Sequence, residues 1–308
     1  MSDLVAKINQ LKKSRHAVIL VHNYQIPEVQ DIADFVGDSL ELSIKASQTE
    51  AEVIVFCGVH FMAETAAIIS PGKKVLLPDT HAGCPMADMI TVAGLRKLKA
   101  EHPAAKVICY VNSGADIKAE SDICCTSANA IEVVKSLTKA NEIIFVPDKF
   151  LGHYMASHLP EKQFFLWPGY CPTHAKILPE HITQAKANHP QAQVIVHPEC
   201  RPETIALADA VLSTGGMRQY VKAPAVSEII VGTEVGLLYS LQKDNPHKKF
   251  YPLLEQAVCP NMKLTTLEKV FWSLEDLKTE ISVPQKIADQ ARHAIMRMLA
   301  VSQPDRSI

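Results

Sequence analysis

Three cysteines stand at almost even intervals: Cys84, Cys171 and Cys259 are separated by 87 and 88 residues, and each is followed at once by proline, Pro85, Pro172 and Pro260. A thiolate is a soft metal ligand. One buried cysteine alone is most often an inert core residue. The same residue at a fixed interval, three times over, reads instead as one ligand from each of three repeats, converging on a shared metal. A structural zinc held by three cysteines would lack its fourth protein ligand. A cubane iron–sulfur cluster held by three thiolates keeps one iron open as a Lewis acid toward substrate. Cys57, Cys109, Cys124, Cys125 and Cys200 have no partners at this period and read as buried thiols.

The period picks out further sets. His22, Tyr110 and His197 are spaced by 88 and 87 residues, as are Tyr24, Asn112 and Glu199. Within each pair the two residues are separated by one position, so both side chains leave the same side of an extended chain. Any one of them alone would be an ordinary core residue satisfied by hydrogen bonds. Together they place six polar groups at one spot. Glu199 is the sole carboxylate among the six and is the expected proton acceptor, with His22 and His197 its nearest rivals at neutral pH. A third set is Ser39, Ser127 and Thr214, again spaced by 88 and 87. Each stands where a helix is expected to begin, as a plain N-cap or as part of an anion site. Thr214-Gly215-Gly216 is the best phosphate candidate, because glycines let the backbone approach closely.

The elements that must hold these residues repeat in the same order. A leading helix over 2–13 precedes a strand at 17–21, a helical region with a break at Gly37-Asp38-Ser39, a strand at 53–56, a helix at 63–69, a strand at 75–77 and the Cys84 loop. Strands at 106–109, 143–146 and 164–167 lead to the Cys171 loop, and strands at 194–196, 229–231 and 250–251 lead to the Cys259 loop. Short runs rich in Val, Ile and Phe between helical segments indicate buried parallel strands covered on both faces. The expected fold is α/β: three pseudo-threefold-related α/β/α domains with parallel sheets around a central cavity, each a β-α-β-α-β-loop unit. The expected divisions are 1–85 with 262–308, 86–172 and 173–261. A last helix starts at Pro284, keeps Ile287, Ala291, Ile295 and Met298 at helical spacing, and is expected to fold back on the first unit.

Composition narrows the classes. With 308 residues and net charge −2, the chain has no basic footprint for nucleic acid, since no basic run exceeds a pair such as Lys73-Lys74. No segment reaches the roughly 20 apolar residues of a membrane span. The amphipathic, lysine-bearing residues 1–15 do not read as a signal peptide. Eight cysteines without an export signal point to the cytoplasm, free thiols and metal ligation rather than disulfides. The chain also lacks a Gly-x-Gly-x-x-Gly fingerprint and a P-loop.

Taken together, these segments resemble the quinolinate synthase family, also called quinolinate synthetase A. The segments that carry the resemblance are His22-x-Tyr24, Gly37-Asp38-Ser39-Leu40, Ala82-Gly83-Cys84-Pro85-Met86-Ala87-Asp88-Met89, Tyr110-Val111-Asn112-Ser113, Thr126-Ser127-Ala128-Asn129, Pro147-Asp148-Lys149, Trp167-x-Gly169-x-Cys171-x-x-His174, His197-Pro198-Glu199-Cys200, Ser213-Thr214-Gly215-Gly216-Met217 and Cys259-x-x-Met262-Lys263. Some members carry Cys-x-x-Cys-x-x-Cys at the third cysteine; here Cys259 stands alone, which removes the basis for a regulatory disulfide there.

The resemblance implies a [4Fe-4S] cluster on Cys84, Cys171 and Cys259 at the base of the cavity. It also implies a transferase-type condensation of iminoaspartate with dihydroxyacetone phosphate to quinolinate, losing phosphate and two waters, in NAD biosynthesis. Glu199 would then act as base with His197 beside it. Tyr24 and His22 would assist proton transfer, Tyr110 and Asn112 would position substrate or reach toward the open iron, and Ser39, Ser127 and Thr214 would hold carboxylates and phosphate. An L-aspartate oxidase is the expected source of iminoaspartate. Two other readings stay open from the residues alone: an iron–sulfur hydro-lyase acting on a small hydroxy acid, and a non-catalytic iron–sulfur redox sensor.

Overall fold

The computed structural model describes residues 2–302. The chain forms three four-stranded parallel sheets, one per repeat, and every sheet has the same strand order. The first unit comprises α1 (Ser2–Ser14), β1 (Ala17–His22), α2 (Pro27–Asp31), β2 (Phe35–Gly37), α3 (Ser39–Gln48), β3 (Val53–Cys57), α4 (His60–Ile69) and β4 (Lys74–Leu76). The second repeats it with α5 (Val92–Glu101), β5 (Lys106–Tyr110), α6 (Ala115–Ala119), β6 (Ile123–Cys125), α7 (Ala130–Ser136), β7 (Glu142–Val146), α8 (Lys149–His158) and β8 (Gln163–Leu166). The third does so with α9 (Pro179–Asn188), β9 (Gln193–Val196), α10 (Pro202–Ile205), β10 (Ala210–Val211), α11 (Thr214–Tyr220), β11 (Glu228–Gly232), α12 (Leu237–Asp244) and β12 (Lys249–Pro252). Two helices follow, α13 (Leu267–Asp276) and α14 (Gln285–Ser302).

Each unit thus has four strands where the sequence reads as three. The additional ones, β2, β6 and β10, are edge strands of three, three and two residues. Segments that short carry neither an apolar run nor an alternation long enough to register. The central strands are legible because both faces are covered: Val53 to Cys57 of β3 are all buried, as are Ile143 to Val146 of β7. The five unpaired cysteines Cys57, Cys109, Cys124, Cys125 and Cys200 lie in this apolar interior.

The last helix departs from expectation. It packs mainly on α6 and β6 of the second unit, and on α4 of the first. Ala288, Ala291 and Ala294 are buried along it, and such small side chains permit close approach to the short helix α6. Arg292 Nε donates to Ile68 O at 2.7 Å in the first unit, and Arg297 donates to Asp122 O at 2.6 Å in the second. It is α13 that packs against α1 and β3 of the first unit. Residues 1 and 303–308 of the expected first domain lie outside the described residues.

Candidate active site

Strand order β2-β1-β3-β4, with its equivalents in the other sheets, puts a topological switch point between the carboxyl ends of β1 and β3, of β5 and β7, and of β9 and β11. Ligands of open α/β sheets bind in that crevice. The three crevices face one another around a common cavity. His22, Tyr24, Ser39, Cys84, Tyr110, Asn112, Ser127, Cys171, His197, Glu199, Thr214 and Cys259 all line it.

Glu199 is the hub. It is 3 % exposed, and both carboxylate oxygens are engaged. Oε1 accepts from the Tyr110 hydroxyl at 2.6 Å and from Asn112 Nδ2 at 3.4 Å. Oε2 lies 2.7 Å from His174 Nδ1. Burial alone would raise the pKa of Glu199, but the imidazoles of His174 and His197 and the bonds from His174 and Tyr110 outweigh it, holding the carboxylate well below its usual range. On the other side of His174, Nε2 is 2.8 Å from Thr233 Oγ1, which is in turn 2.6 Å from the Tyr24 hydroxyl. A carboxylate, an imidazole and three hydroxyls therefore form one buried chain from Tyr110 to Tyr24. Burial and the negative Glu199 push both tyrosine hydroxyls well above their ordinary range.

Local backbone geometry sets the state of the other two histidines. His22 Nδ1 accepts the Tyr24 amide at 3.2 Å, and His197 Nδ1 accepts the Glu199 amide at 3.3 Å. An accepting Nδ1 leaves the proton on Nε2 in a neutral ring. Burial agrees with this, lowering both histidines to about 3 against the opposing pull of Glu199. His197 Nε2 then donates to Ser127 Oγ at 3.2 Å, joining the third unit to the second.

The hydroxyl set does not cap helices as the sequence suggests. Asp38 caps α3, accepting from the amides of Leu40 at 3.0 Å and Glu41 at 2.9 Å, and Ser213 caps α11 through the Gly216 amide at 3.0 Å. Ser39 and Thr214 come one position later, as first helical residues, and Ser127 lies in the turn before α7. Their hydroxyls are spared for the cavity. Thr214 Oγ1 accepts from Asn23 Nδ2 at 2.9 Å, which leaves its own proton free to donate. Packing gives Gly215 a role of its own: a Cβ there would meet Asp38 Oδ2 at 2.6 Å. The glycine admits a carboxylate of the first unit. Burial and the neighbouring Glu41 raise Asp38 to about 6, while the amides that it accepts, that of Gly215 among them, pull the other way.

The three repeated cysteines share a local fold. Each is followed by its proline and then a single 3-10 turn: Ala87–Met89, His174–Lys176 and Asn261–Leu264. All three are half-buried on the cavity wall. Burial pushes Cys84 up to about 12 and raises Cys171 and Cys259 as well. Without a metal these sulfurs are thiols. Cys171, His174 and Glu199 also bring donor atoms within 4.8 Å of one another, but His174 Nδ1 and Glu199 Oε2 already bond to each other at 2.7 Å.

His174 and Thr233 carry the centre of this network; from the sequence His174 is named only within the Cys171 segment, with no role, and Thr233 is not named. His174 had a signal, its place three residues after Cys171. Thr233 had none beyond its position at the end of β11.

Residues 6–300 match the family described as Quinolinate synthetase A protein. The chain is 60% identical over 296 residues to the quinolinate synthase of Dehalococcoides mccartyi, covering 96% of this chain and 97% of that protein. The chain belongs to the quinolinate synthase family. Members named quinolinate synthase from Desulforudis audaxviator and Methanosarcina barkeri are 56% and 55% identical, each over 97% of this chain and 98% of the relative. The family is one of enzymes, and its role is NAD biosynthesis. Among the described residues, no helix is long and apolar enough to cross a membrane.

Proposed function

We propose that this chain condenses iminoaspartate with dihydroxyacetone phosphate to quinolinate, losing phosphate and two waters, with a [4Fe-4S] cluster on Cys84, Cys171 and Cys259. The observation that carries the proposal is the meeting of three half-buried thiols and the Glu199 network in one cavity. The donor set fits a cluster better than a single ion. Thiolates on one tetrahedral metal stand roughly 4 Å apart, whereas these three sulfurs do not form a group within 4.8 Å of one another among the described residues. When bound, such a cluster supplies an open iron that polarises a hydroxyl or carbonyl oxygen.

The remaining chemistry falls to the protein. Glu199 is the proton acceptor, its charge shared with His174, so that a proton arriving at either is held by one buried dyad. Tyr24, joined to that dyad through Thr233, moves a proton at the opposite end. His22 and His197, both uncharged, act as hydrogen-bond donors through Nε2. Tyr110 and Asn112 position substrate, and Ser39, Ser127 and Thr214 supply hydroxyls to its carboxylates and phosphate. The functional divisions are 1–85 with 262–308, 86–172 and 173–261, and an L-aspartate oxidase supplies the unstable imine in the cytoplasm.

The test is anaerobic purification, metal and sulfide analysis, and chromatography of the product formed from triose phosphate and iminoaspartate generated in place. About four irons and four sulfides per chain are expected, together with quinolinate. Zinc at full occupancy without iron would overturn the cluster. A full cluster without quinolinate would favour a hydro-lyase or a sensor.

A further inference from the structure

The three units are not equivalent behind their cysteine loops. Strand pairing aligns Cys57, Val146 and Gly232. Two residues on, the same register holds Val59, Asp148 and Glu234. Glu234 is fully buried. Its Oε1 accepts the amide of Cys259 at 3.0 Å and pairs with Lys263 Nζ at 2.8 Å, while Oε2 accepts the Gly236 amide at 2.7 Å. Lys263 Nζ also donates to the backbone carbonyl of Tyr24, in the first unit. Gly236 closes this junction: a Cβ there would meet Tyr24 O at 2.7 Å, Glu234 Oε2 at 2.8 Å and Lys263 Nζ at 2.8 Å. The residues equivalent to Lys263, four after Cys84 and Cys171, are Asp88 and Ala175, and neither is a cation.

We propose that Glu234 and Lys263 are positioning residues, an ion pair between a fully buried carboxylate and a half-buried ammonium that sets Cys259 and Tyr24 in register with each other across the junction of the third and first units. The inference rests on the cluster reading above. Removing a charge from a buried pair strands its partner. Here the stranded group is the one that holds the Cys259 amide, so the third thiolate loosens together with the backbone under Tyr24.

The experiment compares anaerobically prepared wild type, Lys263→Met, Lys263→Arg and Glu234→Gln. The readouts are the rate of iron release to a chelator, the electron paramagnetic resonance spectrum of the reduced protein, and kcat and KM. Lys263→Met is expected to release iron at least about tenfold faster, with an altered spectrum and a fall in kcat larger than the change in KM. Lys263→Arg, which keeps the charge, is expected to lie closer to wild type. Glu234→Gln keeps an accepting oxygen but loses the pair, and serves if Lys263→Met does not fold; it should release iron severalfold faster. Wild-type release rates and spectra in a folded Lys263→Met, or in Glu234→Gln, would overturn the clamp. Absence of iron from the wild type itself would instead overturn the cluster reading.

Discussion

Replacing Glu199 by glutamine changes one oxygen to an amide nitrogen and removes one charge from the centre of the buried network. The native carboxylate accepts on both oxygens, from Tyr110 and Asn112 on one side and from His174 on the other. Glutamine has a single accepting oxygen, so either the Tyr110 hydroxyl or His174 Nδ1–H is left facing an NH2 group. Losing one hydrogen bond to a charged group costs about 1.5–3 kcal/mol, about 10- to 150-fold in rate at roughly 1.4 kcal/mol per decade. Losing general-base catalysis accounts for about 10²–10⁴. Turnover of Glu199→Gln is therefore expected to fall by about 10² or more, with the cluster kept and substrate still bound. The assay is steady-state quinolinate formation with iron content determined on the same sample. Near-normal turnover with full iron would refute the assignment and move the base to a histidine.

Cys84→Ala, Cys171→Ala and Cys259→Ala should each abolish bound iron, whereas Cys57→Ala, deep in the core against β1, should keep it; metal analysis of anaerobic samples decides. Stability should fall on acidification through the two buried histidines. Their folded values of about 3 lie below the unfolded value of 6.5, so the unfolded chain binds protons first and stability present above pH 6.5 is lost toward pH 3. Each contributes about 1.4 kcal/mol per pH unit in that window, and a urea midpoint that does not move between pH 7 and 5 would contradict their burial as neutral rings. Gly215→Ala should destabilise by about 1–3 kcal/mol through overpacking against Asp38, read as a lower urea midpoint; an unchanged midpoint would mean that the first and third units are not held together there.

The repeat was legible because it is written in spacing. A period of 87 or 88 residues aligns the ends of β1, β5 and β9, and strand geometry then sends alternate side chains the same way. Continuous apolar runs likewise identified the central strands, since a strand covered on both faces has no polar positions to interrupt it. Edge strands of two or three residues left no such trace. Pairing with β1, β5 and β9 makes them strands, and that pairing lies outside their own sequence.

Packing decided the rest. Ser39 and Thr214 looked like helix caps because a hydroxyl near a helix start usually is one; which of two adjacent residues caps depends on the exact φ and ψ of the turn. The close approach that Gly215 permits is made by Asp38, from 177 positions away in the sequence. His174, Thr233 and Tyr24 come from a cysteine loop, the end of β11 and the loop after β1. The chain by itself determined which residues each unit offers to the centre, because covalent geometry fixes direction over a few residues. Only the docking of the three units decided which of those residues touch, because hydrogen bonds between groups 59 to 209 residues apart depend on how whole sheets meet.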